Sequence, residues 1–126
     1  MILDTSVILA ILFREKEASE FIRQIRAAQF VAVGSPTLVE ASLVLGSRLG
    51  FENLDLVTEF LDLFQVAVIE FGGRHWQQGA AAFQRYGKGR HPAALNFGDC
   101  LSYATAKVAN QKLFYTGNDF LHTDLA

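Results

Sequence analysis

Ile2-Leu3-Asp4-Thr5-Ser6 runs directly into Val7-Ile8-Leu9-Ala10-Ile11-Leu12-Phe13. Two apolar residues, one carboxylate, two hydroxyls and seven more apolar residues read as a buried strand passing into a buried helix. Asp4 stands at the junction. In an open parallel sheet, ligands bind in the crevice beyond the carboxyl ends of the strands. A carboxylate here is therefore either the cap of the next helix or the first member of a site.

The alternation continues downstream. Arg14 to Gln29 carries Ala18, Phe21, Ile22 and Ile25 at helical spacing among charges. Phe30 to Val33 reads as a strand closed by Gly34, and Ser35-Pro36 as a helix start, with Ser the N-cap and Pro the first helical residue. That helix runs to Gly50. Asn53 to Phe64 is a second amphipathic helix before the strand Val66 to Phe71. His75 to Tyr86 and Phe97 to Val108 are helices around a basic loop, Gly87 to Pro92. The small residues of the later helix suit close packing. Leu113 to Tyr115 is a fourth strand, Thr116 to Asp119 a turn, and the last residues read as the start of a fifth strand. Strands alternating with helices predict an α/β fold, with a central parallel sheet of four to five short strands flanked by helices. With no linker, repeat or low-complexity segment, residues 1–126 read as a single domain.

Composition narrows the class. Hydrophobic residues at 51% against 19% charged exclude disorder and leave apolar surface for a partner. A net charge of −2 gives no overall attraction to nucleic acid or anionic membrane, so any such contact needs a local patch. The one cysteine, Cys100, makes no internal disulfide, which suits a reducing cytoplasm. No apolar run approaches the roughly 20 residues of a membrane span, and Asp4 breaks any signal-peptide pattern. The expectation is a soluble, cytoplasmic protein without a membrane partner.

Four acids stand where an acid is awkward or directed: Asp4 after the first strand, Glu40 among apolar residues, Asp99 opening a helix and Asp119 after the last clear strand. Each has an ordinary reading as cap, dipole partner, turn residue or surface ion pair. Jointly they differ, because the ends of strands one and four and the helices that follow share one edge of a parallel sheet. Carboxylates gathered there repel, and either stay partly protonated or share a cation. Oxygen donors suit Mg²⁺ or Mn²⁺, whereas zinc recruits His or Cys. His75, His91 and His122 form no ligand pattern.

These residues carry a family resemblance over essentially the whole chain. Leu3-Asp4-Thr5-Ser6, Glu40 within Pro36–Ala41, Tyr86-Gly87-Lys88-Gly89-Arg90-His91-Pro92 leading to Leu95-Asn96-Phe97-Gly98-Asp99-Cys100, and Leu113-Phe114-Tyr115-Thr116-Gly117-Asn118-Asp119-Phe120 with Thr123-Asp124 appear in order. Together they resemble PIN-domain ribonucleases, and among them the VapC-type toxins of bacterial toxin–antitoxin modules. The resemblance implies a PIN-like fold and a Mg²⁺-dependent (or Mn²⁺-dependent) endoribonuclease. It also implies a homodimer, with higher toxin–antitoxin assemblies, inhibited by a cognate VapB-type antitoxin. The family's acidic set falls on Asp4, Glu40, Asp99 and Asp119. Asp124 matches an acid common in the subgroup, a further candidate ligand, and the hydroxyls of Thr5, Ser6 and Thr116 match supporting partners.

Arg85, Tyr86, Lys88, Arg90 and His91 form the one concentrated basic stretch. Cations with a stacking aromatic hold phosphate and unpaired bases, so this stretch is the candidate RNA contact. Trp76 and Phe83 are expected in the core or a dimer contact, and Cys100 as a small buried residue. Two rivals remain at this stage. One is a catalytically inactive PIN domain that binds RNA or protein. The other is a receiver-type phosphotransfer domain, which normally places paired acids after strand one, where Thr5-Ser6 stand here. No glycine-rich phosphate loop with Lys and Ser or Thr is present.

Overall fold

A computed structural model describes all 126 residues. Four short strands, β1 (Ile2–Leu3), β2 (Ala32–Gly34), β3 (Ala67–Ile69) and β4 (Leu113–Phe114), form one parallel sheet in the order β3-β2-β1-β4. Six helices connect them: α1 (Thr5–Leu12) and α2 (Ala18–Ala27), then α3 (Ser35–Leu49) and α4 (Asp55–Leu63), then α5 (Gly73–Tyr86) and α6 (Phe97–Ala109). The chain steps outward from β1 to β2 to β3, then returns to the far side of β1 for β4. The direction of winding therefore reverses between β1 and β4, which opens a crevice at the carboxyl ends of those two strands.

The strands are short, two or three residues each. Within them the period of two is clear. Ile2, Ala32 and Leu113 point into the core shared with α5, α6 and the chain end, beside Tyr86, Leu95, Tyr103 and Phe120. Leu3, Val33 and Phe114 point to the other face, where they meet Val7 and Ile8 of α1, Ile25 of α2, Ala41 of α3 and Phe60 of α4. The expected tight helix contact is present: a Cβ on Gly79 of α5 would lie 3.5 Å from the Cys100 carbonyl of α6. At Gly34 a Cβ would come within 2.6 Å of Thr105 Oγ1, so β2 approaches α6 closely enough to require glycine.

Four local expectations change. The first long helix begins at Ala18 because Arg14 takes a left-handed φ of 54° and the chain turns between α1 and α2. Ser35 is already helical; Gly34 is the cap residue, with no side-chain bond, and Pro36 follows in the first turn. No fifth strand forms: residues 118–125 make turns, with Phe120 buried in the core. The sheet thus has four strands, the lower end of the expected range. Trp76 and Phe83 face outward rather than into the core. No helix is long and apolar enough to cross a membrane.

The packing makes a stability prediction. Ile8 is fully buried and Leu63 is 68% exposed. Urea unfolding should show Ile8→Ala losing about 2–5 kcal/mol and Leu63→Ala changing stability by no more than about 0.5 kcal/mol. Equal losses would contradict the described core.

Candidate active site

Asp4 caps α1. Its Oδ2 accepts from the Ser6 amide at 3.0 Å and from Ser6 Oγ at 2.6 Å. Ser6 Oγ also accepts from the Thr116 amide at 3.1 Å, which fastens the turn after β4 to the start of α1. Asp99 is held in a similar way at α6. The Asn96 side chain accepts from the Asp99 amide at 2.9 Å, and Asp99 Oδ2 accepts from the Asn96 amide at 3.0 Å. This reciprocal cap satisfies two backbone donors at the helix start. Glu40, in the second turn of α3, accepts from Thr5 Oγ1. Its carboxylate also lies against Gly98, where a Cβ would overlap it.

Asp4 is thus the cap of its ordinary reading, and Asp99, expected as a partner of the helix dipole, closes a capping box with the N-cap Asn96; neither role excludes membership of a site. A carboxylate offers about four lone-pair sites, and each cap engages one oxygen. Both residues are nearly buried, at 6% and 8% exposed. Burial pushes the Asp99 carboxyl up to about 6. The backbone bond from Asn96 opposes that rise, and the charges of Asp119, Asp4 and Glu40 add to it. The four acids singled out in the sequence are thus electrostatic neighbours around Asp99. They do not meet at a point: no three His, Cys, Asp or Glu side chains stand at a spacing that would ligate one ion. Asp4, Glu40 and Asp99 are each held by a donor of their own, from Ser6, Thr5 and Asn96, while Asp119 is exposed.

Asp124 lies elsewhere. Its carboxylate accepts from Tyr103 Oη at 2.8 Å and Lys107 Nζ at 3.0 Å, and its charge is not among those acting on Asp99. Burial alone would raise its pKa, but the bonds from Lys107 and Tyr103 outweigh this and hold it below the usual range. Thr5 and Ser6 use their hydroxyls as expected, whereas Thr116 contributes its backbone amide.

The basic stretch is corrected at one position. Arg85, Lys88 and Arg90 are exposed and His91 is half-buried, but Tyr86 is only 5% exposed. Its ring packs against Tyr103 and His91, with the Arg85 guanidinium 4.8 Å above it. A buried ring offers no face to a base, so Tyr86 supports the loop from beneath. The loop is pinned by Lys88 N–H donating to the Leu95 carbonyl at 2.9 Å and Leu95 N–H to the Tyr86 carbonyl at 3.0 Å. Cys100 behaves as expected: burial, with help from Asp99, pushes its thiol up to about 11, so it stays protonated and inert.

The sequence reading assigned no role to Asn96 or Gly98. The signal for Asn96 was present, since Asn-x-x-Asp at a helix start is a capping pattern. Gly98 had none, because its need arises from an α3 side chain 58 positions away in sequence. Beside the acids, an apolar groove of about 970 Å³ runs between α3, α5 and the start of α6, with Glu40 its one charged lining residue. Exposed Val39, Leu43, Trp76, Phe83 and Phe97 line it.

The PIN domain family model matches residues 1–125. The chain belongs to the PIN-domain family. Ribonuclease VapC36 of Mycobacterium tuberculosis is 39% identical over 126 residues, covering 99% of this chain and 91% of its own length. Ribonuclease VapC of Mycolicibacterium smegmatis is 35% identical, covering 100% of this chain and 98% of its own. Among solved structures, Mycobacterium tuberculosis VapC20, described as a sarcin-ricin loop cleaving toxin, superposes with a TM-score of 0.78 at 16% identity. It covers 99% of this chain and 95% of that one, and bears out the PIN fold. The resemblance read from the sequence thus holds for family and fold.

The raised Asp99 pKa in this PIN domain sets a pH dependence. Its protonated form is favoured by folding, so the associated stability is fully present below the ordinary value of 3.8 and is lost as pH rises through about 6. In EDTA, the melting temperature of the wild type should therefore fall relative to Asp99→Asn between pH 4 and pH 7. Parallel profiles for the two proteins would contradict the described environment.

Proposed function

We propose that this PIN-domain protein is a divalent-metal-dependent endoribonuclease, the toxin of a type II toxin–antitoxin system acting in the cytoplasm. The single observation that carries the site assignment is that the charges of Asp119, Asp4 and Glu40 all act on the buried Asp99 carboxyl, with the Glu40 carboxylate lying against the neighbouring Gly98. The full-length VapC relatives support the reaction class.

The donor chemistry fits a hard cation. It consists of carboxylates only, with no imidazole or thiolate on offer, which suits Mg²⁺ or Mn²⁺. Asp4 and Asp99 would hold it, with Glu40 and Asp119 completing the set. When bound, such an ion supplies the positive charge that activates water toward phosphorus and stabilises the departing 3′-oxygen. The chain's own residues do the rest. Ser6 and the Asn96 amide fix the two main carboxylates, Thr5 orients Glu40, and the nearly buried position of Asp99 excludes bulk water from one side. Without a cation, burial favours the protonated Asp99 carboxyl; a bound ion would favour the carboxylate.

Arg85, Lys88, Arg90 and His91 are assigned to the RNA backbone, adjacent in sequence to the helix bearing Asp99. The apolar groove is assigned to a segment of the cognate antitoxin. Apolar antitoxin side chains would fill it, and a basic side chain would meet Glu40 at its acidic end, in the helix-in-groove manner. The homodimer rests on the family resemblance. The spacing of the acids favours one second reading, an inactive PIN domain that only binds RNA or protein.

A cleavage assay separates the two. Wild type should cut single-stranded RNA with Mg²⁺ or Mn²⁺ and stop in EDTA, while Asp4→Asn and Asp99→Asn lose at least about a hundredfold in rate yet stay folded. Retained metal-dependent cleavage in both variants would sink the assignment. Separately, the Lys88→Ala/Arg90→Ala double variant should weaken RNA binding and reduce its log–log salt slope by about 1.4 for a single strand. An unchanged slope would mean that the stretch does not touch phosphate.

A further inference from the structure

The chain leaves the sheet after β4 and forms no further helix or strand, yet its end is firmly held. On the near side of Asp119, the Thr116 amide donates to Ser6 Oγ at 3.1 Å, and Ser6 Oγ donates to Asp4 Oδ2 at 2.6 Å. On the far side, Phe120 is buried against Tyr115 with ring centroids 5.0 Å apart. Thr123 Oγ1 then donates to the Phe120 carbonyl at 2.8 Å and accepts from the Leu125 amide at 3.1 Å. Asp124 closes this segment. Its amide donates to Tyr86 Oη of α5 at 3.3 Å, and its carboxylate takes Tyr103 Oη and Lys107 Nζ of α6. Asp119 itself is exposed, five residues before this anchor.

The geometry points to Asp124 as a positioning residue that ties the chain end to α5 and α6 and thereby fixes the turn presenting Asp119 to the other acids. A direct role as cation ligand is disfavoured on two counts: each carboxylate oxygen already accepts a bond, and the Lys107 ammonium stands 3.0 Å away, where it repels a cation. The Asp124 carboxylate accepts from the Tyr103 phenol through one oxygen and from the Lys107 ammonium through the other, and an amide at this position keeps the first of these bonds. Tyr86, removed from the RNA surface by its burial, acquires its role here as the partner of the Asp124 amide.

This inference rests on the nuclease reading only in what the tether is for, so the test uses one readout without metal and one with it. The full chain would be compared as wild type, Asp124→Ala, Asp124→Asn, Tyr103→Phe and the reference Asp99→Asn. In EDTA, amide hydrogen exchange over residues 117–121 should speed up markedly in Asp124→Ala and Tyr103→Phe. Asp124→Asn, which still accepts from Tyr103, should recover most of the protection. In Mn²⁺ titrations by calorimetry, Asp124→Ala should bind roughly tenfold more weakly, the usual size of an outer-partner effect. Asp124→Asn should lie near wild type and Asp99→Asn should lose binding. In cleavage, kcat should fall in Asp124→Ala while KM holds.

Two results would overturn the inference. One is Asp124→Asn losing Mn²⁺ as fully as Asp99→Asn, which would make Asp124 a ligand. The other is Asp124→Ala melting earlier with unchanged exchange at 117–121, which would make its role merely structural. If Asp99→Asn bound Mn²⁺ like wild type, the nuclease reading would fail, and the exchange measurement would still decide the tether.

Discussion

Like charges brought together at the edge of a parallel sheet govern the rest of this molecule. Asp99 is nearly buried, and burial raises its pKa to about 6, with the charges of Asp119, Asp4 and Glu40 adding to the rise. Such an arrangement costs folding energy and is tolerated where something else holds each acid in place. Here the restraint is local. Asp4 caps α1, Asp99 shares a capping box with Asn96, Glu40 is fastened by Thr5, and the turn carrying Asp119 lies between the Thr116 and Asp124 anchors. Three of the four carboxylates are held singly, and in that state the four do not close to a common ligand spacing. A cation among them would offset their like charges, which is the physical reason for expecting one.

The topology supplies the meeting place. Winding that reverses between β1 and β4 sets their carboxyl ends side by side. Asp4 follows one and Thr116 to Asp119 follow the other. The crossing of α3 toward α6 adds Glu40, and it depends on Gly98 having no side chain. Capping and chemistry are thus performed by the same residues: the groups that start α1 and α6 are also those that define the site. Substituting either acid affects both, although an amide in place of the carboxylate still accepts the capping bond.

Much of this was readable from the chain. Alternating apolar runs placed all four strands and the order of the helices; β1, β2 and β4 are buried throughout and leave an uninterrupted hydrophobic signature, while the edge strand β3 is apolar although largely exposed. Asp4 and Asp99 were legible because an acid at a strand end or helix start occupies a position with few explanations. Tyr86 was misread, since its neighbours Arg85, Lys88 and Arg90 are surface cations and a one-dimensional pattern does not show that the intervening ring turns inward onto Tyr103. Asp124 is a candidate ligand in the sequence because it matches an acid of the family resemblance, while its partners Tyr103 and Lys107 lie on a helix more than fifteen residues earlier. The fifth strand failed for a simpler reason. Phe120 is drawn into the core, and the segment closes on itself through Thr123.

Crystals grown with Mn²⁺ as a stand-in for Mg²⁺, and measured at the manganese absorption edge, test the central claim most directly. An anomalous peak at about 2.1 Å from oxygens of both Asp4 and Asp99, the spacing of a hard cation on carboxylates, is the result the account predicts. No peak at that edge at saturating Mn²⁺, or a peak that touches neither residue, would contradict it.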